Sequence, residues 1–232
     1  MPKDLLVEAR SQHYPIWDRE NLKRFLSILE DMPETLPNLK NKLMFYIAVT
    51  TGARKGEFLG LTWDCINFEE RSLKINKSLK FVVGEKPILG SPKTKESVRT
   101  LYFDDYVYEL LLKYKAAVEN WLHANNISNP QNFVFISRNF SENREALPVN
   151  GDSFYLWLKR MCRRYSMPRI AVHSLRAMAA TNALISGMPL NMVQAMMGHT
   201  NIATTSIYLR DVQDERKEAT ALMAQHFREL RK

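Results

Sequence analysis

Between residues 66 and 103 the apolar pattern of this chain changes, and the change constrains the fold more than any bulk property. On both sides of it, apolar side chains return every three or four positions, the repeat of a helix with one buried face. Within it, Leu73, Ile75, Leu79, Phe81 and Val83 stand mostly at alternate positions, the repeat of a strand, and Gly84 and Gly90 mark turns. The run Val98-Arg99-Thr100-Leu101-Tyr102-Phe103 reads as a further strand. Before it lies a polar turn over residues 90–97 that carries Lys93 and Lys95. The expectation is a mainly α chain with a small antiparallel β-sheet, an α+β fold, and a basic loop exposed at the edge of the sheet.

The helical parts can be bounded from their punctuation. Asp18 is placed to cap a helix whose apolar face is Leu22, Phe25, Leu26 and Leu29. Pro33 and Pro37 are expected to break the chain before a second helix over 39–50, heavily buried through Leu43, Phe45, Tyr46, Ile47 and Val49. Gly52 ends it as a left-handed residue, and Arg54 begins a short helix with Phe58, Leu59 and Leu61 on its apolar side. Beyond the strands, helices are predicted over 104–124, 151–165 and 173–186, the last ending at Gly187. The polar connection 125–149 is interrupted by Phe133-Val134-Phe135-Ile136, a short strand or buried segment. Pro189 opens a short helix that stops at Gly198, Asn201 caps the helix carrying Tyr208, and an amphipathic helix closes the chain over 212–230.

The 232 residues, 45% of them apolar, suffice for one good-sized core or for a main domain with a small appendage. Lysine and arginine number 33 against 25 aspartates and glutamates, a net charge of +8. Such a balance favours an anionic partner, of which nucleic acid is the commonest, although a merely soluble basic protein has the same balance. Cys65 and Cys162 form no CxxC pair, which argues against a zinc site or a disulfide framework, and they read as buried apolar residues in a reducing compartment. The sequence has neither an apolar run of membrane-spanning length nor a signal peptide, so a cytoplasmic protein with no membrane partner is expected.

The residues with chemical potential gather late in the chain. His173 and Arg176 are three apart and leave one face of one helix. Arginine beside histidine is a poor metal site, because the fixed positive charge repels a cation, but the planar guanidinium matches two phosphate oxygens. Arg54 would supply a second such fork and His199 a further donated hydrogen bond. Tyr208 is the candidate nucleophile: its phenol is weakly nucleophilic at neutral pH, and clustered arginine and histidine would favour the phenolate. His173 would take or share the phenolic proton. The departing sugar oxygen also needs a proton, for which Lys93 is the candidate and Lys95 the competitor. No cluster of Asp and Glu near His173 or Tyr208 suggests a two-metal nuclease, so neither a metal ion nor another cofactor is expected. Glu57 reads as a buttress for Arg54, which could otherwise simply cap its helix or pair with Glu57.

Together these segments resemble the catalytic domain of the tyrosine recombinases, the phage integrase family. Residues 51–63, which begin Thr51-Gly52-Ala53-Arg54, are similar to its first arginine box. Pro92-Lys93-Thr94 followed by Ser97-Val98-Arg99 resembles its lysine hairpin, which points to Lys93 over Lys95. His173-Ser174-Leu175-Arg176 with Ala180-Thr181 resembles its His-x-x-Arg box, and Met197-Gly198-His199 followed by Thr205-Ser206-Ile207-Tyr208 its closing box. Ala177 stands where many relatives carry histidine.

The resemblance implies site-specific cleavage and rejoining of DNA through a 3′-phosphotyrosine, with Arg54, Lys93, His173, Arg176, His199 and Tyr208 as the catalytic set. It implies double-stranded DNA as partner, a homo-tetramer on synapsed DNA, service to a mobile element, and excisionase or DNA-bending accessory proteins. The domain expectation is a lead-in over 1–15 and a catalytic domain over 16–232, without the family's N-terminal core-binding domain. A type IB topoisomerase-like relaxing enzyme and a non-enzymatic, basic DNA-binding regulator are the competing readings.

Overall fold

The computed structural model describes residues 15–81, 87–92 and 97–209, together with Val212, Thr220 and Glu229. Helix α1 (Arg19–Glu30) starts where Asp18 accepts a hydrogen bond from the Asn21 amide at 2.7 Å, which satisfies one of the amides a helix start leaves open. Helix α2 (Leu36–Thr51) starts earlier than its apolar pattern suggested, because Pro37 lies in the first turn, where a missing amide hydrogen costs nothing. Leu43, Met44, Phe45 and Ile47 of α2 are completely buried, and α2 packs against later helices on more than one side. Gly52 closes α2 with φ +65°, and a Cβ there would lie 2.6 Å from Sδ of Met197. Only glycine meets both demands.

Helix α3 (Lys55–Leu59) follows and leads through a 3₁₀ turn (Trp63–Cys65) into the strands. These are β1 (Ile66–Asn67), β2 (Ser72–Ile75), β3 (Ser78–Lys80), β4 (Ile88–Gly90) and β5 (Arg99–Tyr102). The expected single sheet is two antiparallel ones, β1-β2-β5 and a separate β3-β4 ribbon. In the first, Leu73 pairs with Leu101 and Ile75 with Arg99. Gly90, expected in a turn, instead pairs with Ser78 as the last residue of β4, extending the ribbon by one residue.

Helix α4 (Asp105–Ala124), capped by the Asp104 side chain, packs on α2. The connection after it holds an antiparallel hairpin, β6 (Ile136–Phe140) and β7 (Ala146–Pro148), where the sequence indicated a short strand or buried segment over 133–136, of which only Ile136 lies in β6. Most of β6 is polar and exposed, so it lacks the apolar alternation that reveals a strand. Helices α5 (Ser153–Arg164), α6 (Val172–Ile185), α7 (Leu190–Met197) and α8 (Ile202–Ser206) complete the described fold. Trp17, Phe25 and Phe45 pack through the core as tilted rings, with centroids 4.7 and 4.8 Å apart, and Trp157 meets Phe25 edge-on at 6.1 Å. Truncating one such buried ring to alanine costs about 3–5 kcal/mol. Helix α6 is buried along most of its length, Ala177, Ala179 and Ala180 included. Among the described residues, no helix is long and apolar enough to cross a membrane. Nearly all of the predicted terminal helix, 212–230, lies outside the described residues, as do Val83 and Gly84.

Candidate active site

The end of α7 organises the site. A helix leaves its last carbonyls without intrahelical partners, and its C-terminus carries partial negative charge, so cations are favoured there. Three consecutive carbonyl oxygens at this end each accept from a different arginine. Met196 O accepts from Nε of Arg99 at 2.6 Å, Met197 O from Nη2 of Arg176 at 2.5 Å, and Gly198 O from Nη2 of Arg54 at 3.1 Å. The left-handed Gly198 (φ 62°) turns the chain there and sets His199 beside the cluster.

Arg176 is the most enclosed of the sequence-predicted arginines, 3% exposed. Its Nη1 donates to Gly52 O, so the left-handed end of α2 and the left-handed end of α7 meet on one guanidinium. Burial, and after it the charge of Arg54, pulls its pKa down to about 9, which leaves it protonated at neutral pH. Arg54 is more open, with its side chain 40% exposed. Its Nη1 donates to Oε1 of Glu57 at 2.9 Å and to Oγ of Ser97 at 3.4 Å. Glu57 is 2% exposed, and its Oε2 accepts from the Arg54 amide at 2.8 Å and from Nη2 of Arg99 at 2.9 Å. Burial pushes the Glu57 carboxyl up, but hydrogen bonds and charge from Arg99, then Arg54, outweigh it and hold it below the usual carboxylate value. Arg54 and Arg99 thus share the Glu57 carboxylate while Arg176 bonds to carbonyls and His199, and the excess positive charge is available to an anion.

His199 bonds through both ring nitrogens. Nε2 lies 2.9 Å from Nη2 of Arg176, and Nδ1 lies 2.9 Å from Oγ1 of Thr205. A guanidinium only donates, so Nε2 accepts, and Nδ1 carries the proton and donates to Thr205. Burial first, and then the charges of Arg176, Arg54 and Arg99, lower the His199 pKa to about 4. The sequence reading had His199 donating to a ligand. In this arrangement the ring is neutral, its Nε2 accepts from Arg176, and its one N–H is taken up by Thr205.

Arg54, His173 and Arg176 line one cavity of about 290 Å³, with Lys55, Asp152 and Tyr155 on its other wall. The His173 ring reaches solvent, and partial desolvation, then Arg176 and Arg54, keep its pKa below the ordinary imidazole value. Tyr208 lies two residues past the end of α8 and is 7% exposed. It belongs to a small apolar cluster with Ala177, Ala180, Leu184, Val193 and Met197. It is close enough to Arg176 for a charged phenolate to favour the protonated guanidinium. Lys93 and its competitor Lys95 lie outside the described residues. Cys65 and Cys162 are buried free thiols. Among the described residues, no group of three or more His, Cys, Asp and Glu side chains is arranged to hold a metal ion.

Three functional contacts escaped the sequence reading: Arg99, Thr205 and the Ser97 hydroxyl. Arg99 could have been suspected, since it alternates with Leu101 on the inward face of a strand, where an unpaired cation is costly. Thr205 and Ser97 gave no such signal.

Comparison with known structures places this arrangement in one fold class. The Tn1549 transposon integrase, solved in complex with circular intermediate DNA, superposes with a TM-score of 0.66 at 22% identity, covering 84% of this chain and 62% of that one. The XerA recombinase superposes with a TM-score of 0.61 at 16% identity, covering 90% of this chain and 66% of that one. Residues 17–215 match the phage integrase family, and the chain belongs to it. A tyrosine recombinase XerC-like protein of Caldanaerobacter subterraneus is 27% identical over 204 residues, covering 82% of this chain and 51% of that protein. The transposase from transposon Tn916 of Enterococcus faecalis is 29% identical over 175 residues, covering 73% of this chain and 42% of that protein. The chain spans about half the length of the curated relatives it matches.

Proposed function

We propose that residues 16–232 act as the catalytic domain of a site-specific DNA recombinase that cleaves and rejoins strands through Tyr208. The observation that carries this reading is the convergence of Arg54 and Arg176, from distant parts of the chain, on one cavity beside His173. Phosphoryl transfer depends chiefly on positioning and on neutralising the equatorial oxygens, and two guanidiniums held against a helix end are ready to do both. The DNA complexes solved for the Tn1549 integrase support double-stranded DNA as the partner. The transposase and integrase relatives support service to a mobile element, and a tetramer on synapsed DNA with accessory DNA-bending proteins is part of the same reading.

In the proposed step, Oη of Tyr208 forms a bond to phosphorus while the bond from phosphorus to the 5′ oxygen breaks. The phenolic proton passes to His173 or to water. The departing oxygen takes up a proton, for which Lys93 is the assigned donor. The resulting phosphotyrosine is still a diester, so the 5′ hydroxyl of a partner strand can reverse the step without ATP. Tyr208 is 7% exposed and is not part of the cavity lining, so the proposed step requires the segment carrying it to reach the cavity when DNA binds.

The test is a nicked DNA duplex that loses its 5′ hydroxyl fragment on cleavage. The expected result is a denaturant-stable protein–DNA adduct whose mass spectrum places the nucleotide on Tyr208, and whose yield a chelator leaves unchanged. Absence of the adduct, attachment at another residue, or a requirement for a metal ion would overturn the reading. Recombinant junctions from two sites, rather than relaxation alone, distinguish a recombinase from a relaxing enzyme.

A further inference from the structure

Arg99 is the least exposed guanidinium at the end of α7 after Arg176, with its side chain 8% exposed. Its bonds reach three separate parts of the site. Nε donates to Met196 O of α7, Nη1 to Ser97 O at 2.9 Å, and Nη2 to Oε2 of Glu57 at 2.9 Å. Glu57 in turn holds Arg54 by both its backbone amide and its guanidinium. Met196 lies three residues before His199 and next to Met197, whose carbonyl holds Arg176. Ser97 begins the described chain after the basic turn that contains Lys93, and its hydroxyl also accepts from Arg54.

We propose that Arg99 is a positioning residue for the phosphodiester chemistry. It fastens Ser97, whose hydroxyl accepts from Arg54, to Glu57 and to the last turn of α7, so that Arg54, Arg176 and His199 keep one common frame. This rests on the recombinase reading above and deepens it. Arg99 does not serve as a third phosphate ligand, because Arg54 and Arg176 line the cavity and Arg99 is not part of its lining. The three acceptors lie on three different segments, and a planar fork with fixed donor directions can satisfy them together. A lysine ammonium keeps the charge but is a point donor on a flexible stem, so it cannot hold all three directions at once. Charge alone therefore does not meet the requirement, and the conservative replacement is the informative one.

The experiment measures single-turnover adduct formation by the wild type and Arg99→Lys on the nicked duplex, at saturating DNA. A variant that is only partly folded loses adduct amplitude, whereas a displaced site lowers the first-order rate constant of the molecules that do react. The expected result is a rate constant lowered by about 10-fold or more with DNA affinity changed by no more than about 2-fold, the pattern of a group needed only in the transition state. The slope of log affinity against log salt concentration should match the wild type, since losing a phosphate contact would lower it by about one. Combining Arg99→Lys with Glu57→Gln should slow the reaction by less than the product of the two single effects, because both changes disturb the same linkage.

A rate constant equal to that of the wild type overturns the proposal. So does a salt slope reduced by about one, which marks a direct DNA contact. A fully multiplicative double variant also overturns it. So does complete failure of Arg99→Lys to fold, which would make Arg99 a support of the core rather than of the site. If the wild type itself gives no adduct, the recombinase reading fails; if the wild type reacts and Arg99→Lys matches it, only the role of Arg99 fails.

Discussion

Nε2 of His199 accepts a hydrogen bond from Nη2 of Arg176 at 2.9 Å, and that one contact decides which imidazole nitrogen carries the proton. The hydroxyl of Thr205, three residues before Tyr208, takes the opposite nitrogen. A buried arginine, a neutral histidine and the helix that precedes the tyrosine are thereby joined in one line. Thr205 can also donate through its hydroxyl, so the same pair would support the other tautomer if the proposed phosphate drew Arg176 away.

In the DNA-free protein at neutral pH, His199 should be the Nδ1–H tautomer. Two-bond nitrogen–proton spectra of histidine-labelled protein read this directly, and an Nε2–H signal for His199 would contradict the arrangement. Thr205→Val should cost about 1 kcal/mol in chemical denaturation, the net worth of one such hydrogen bond.

Stability should fall on mild acidification. An unfolded histidine titrates near 6.5, whereas His199 in the fold titrates at about 4. Between those values the unfolded chain binds more protons, so the free energy of unfolding decreases as the pH drops through that window. His173 is shifted in the same direction and adds to the slope. Urea titrations between pH 7 and about pH 5, above the range where carboxylates dominate, should show the loss, and His199→Gln should flatten it. An unchanged slope in that variant would remove His199 as its source.

Arg54→Ala and Arg176→Ala should both slow adduct formation by roughly 10²–10³-fold, the usual effect of deleting an oxyanion donor. They should differ in stability. Loss of Arg176 strips a donor from two enclosed carbonyls, Gly52 O and Met197 O, and should cost about 2–4 kcal/mol. Arg54 is 40% exposed and its partner Glu57 keeps Arg99, so its loss should cost about 1 kcal/mol or less. Equal denaturation midpoints for the two variants would argue against this division.

Tyr208 should be shielded until DNA binds. Nitration mapped by mass spectrometry should modify Tyr102, which is 72% exposed, well before Tyr208 at 7%. Binding of uncleaved DNA should raise the Tyr208 rate toward that of Tyr102. Equal rates in the free protein would mean that the apolar cluster does not hold the tyrosine.

Much of the fold was legible because its signals are local. Asp18 before Leu22 and Phe25, Gly52 after α2, and Pro189 and Gly198 around α7 mark helix ends by backbone requirements that no distant residue can alter. The β6–β7 hairpin was not legible, since most of β6 is solvent-facing and polar. The division of the strands into two sheets was equally hidden, because pairing partners depend on how the chain returns and not on the residues of one strand.

The amino-acid sequence alone determined the alternation of helices and strands, the net positive charge and the identity of the groups able to meet a phosphate, since each follows from side-chain chemistry and short-range spacing. Only the tertiary structure decided that three arginines converge on three successive carbonyls at the end of α7, that Nε2 of His199 accepts from Arg176 while Nδ1 donates to Thr205, and that Tyr208 rests in an apolar cluster. Those outcomes depend on which distant segments the packed core brings within hydrogen-bonding distance, and such distances are a property of the assembled core rather than of any stretch of chain.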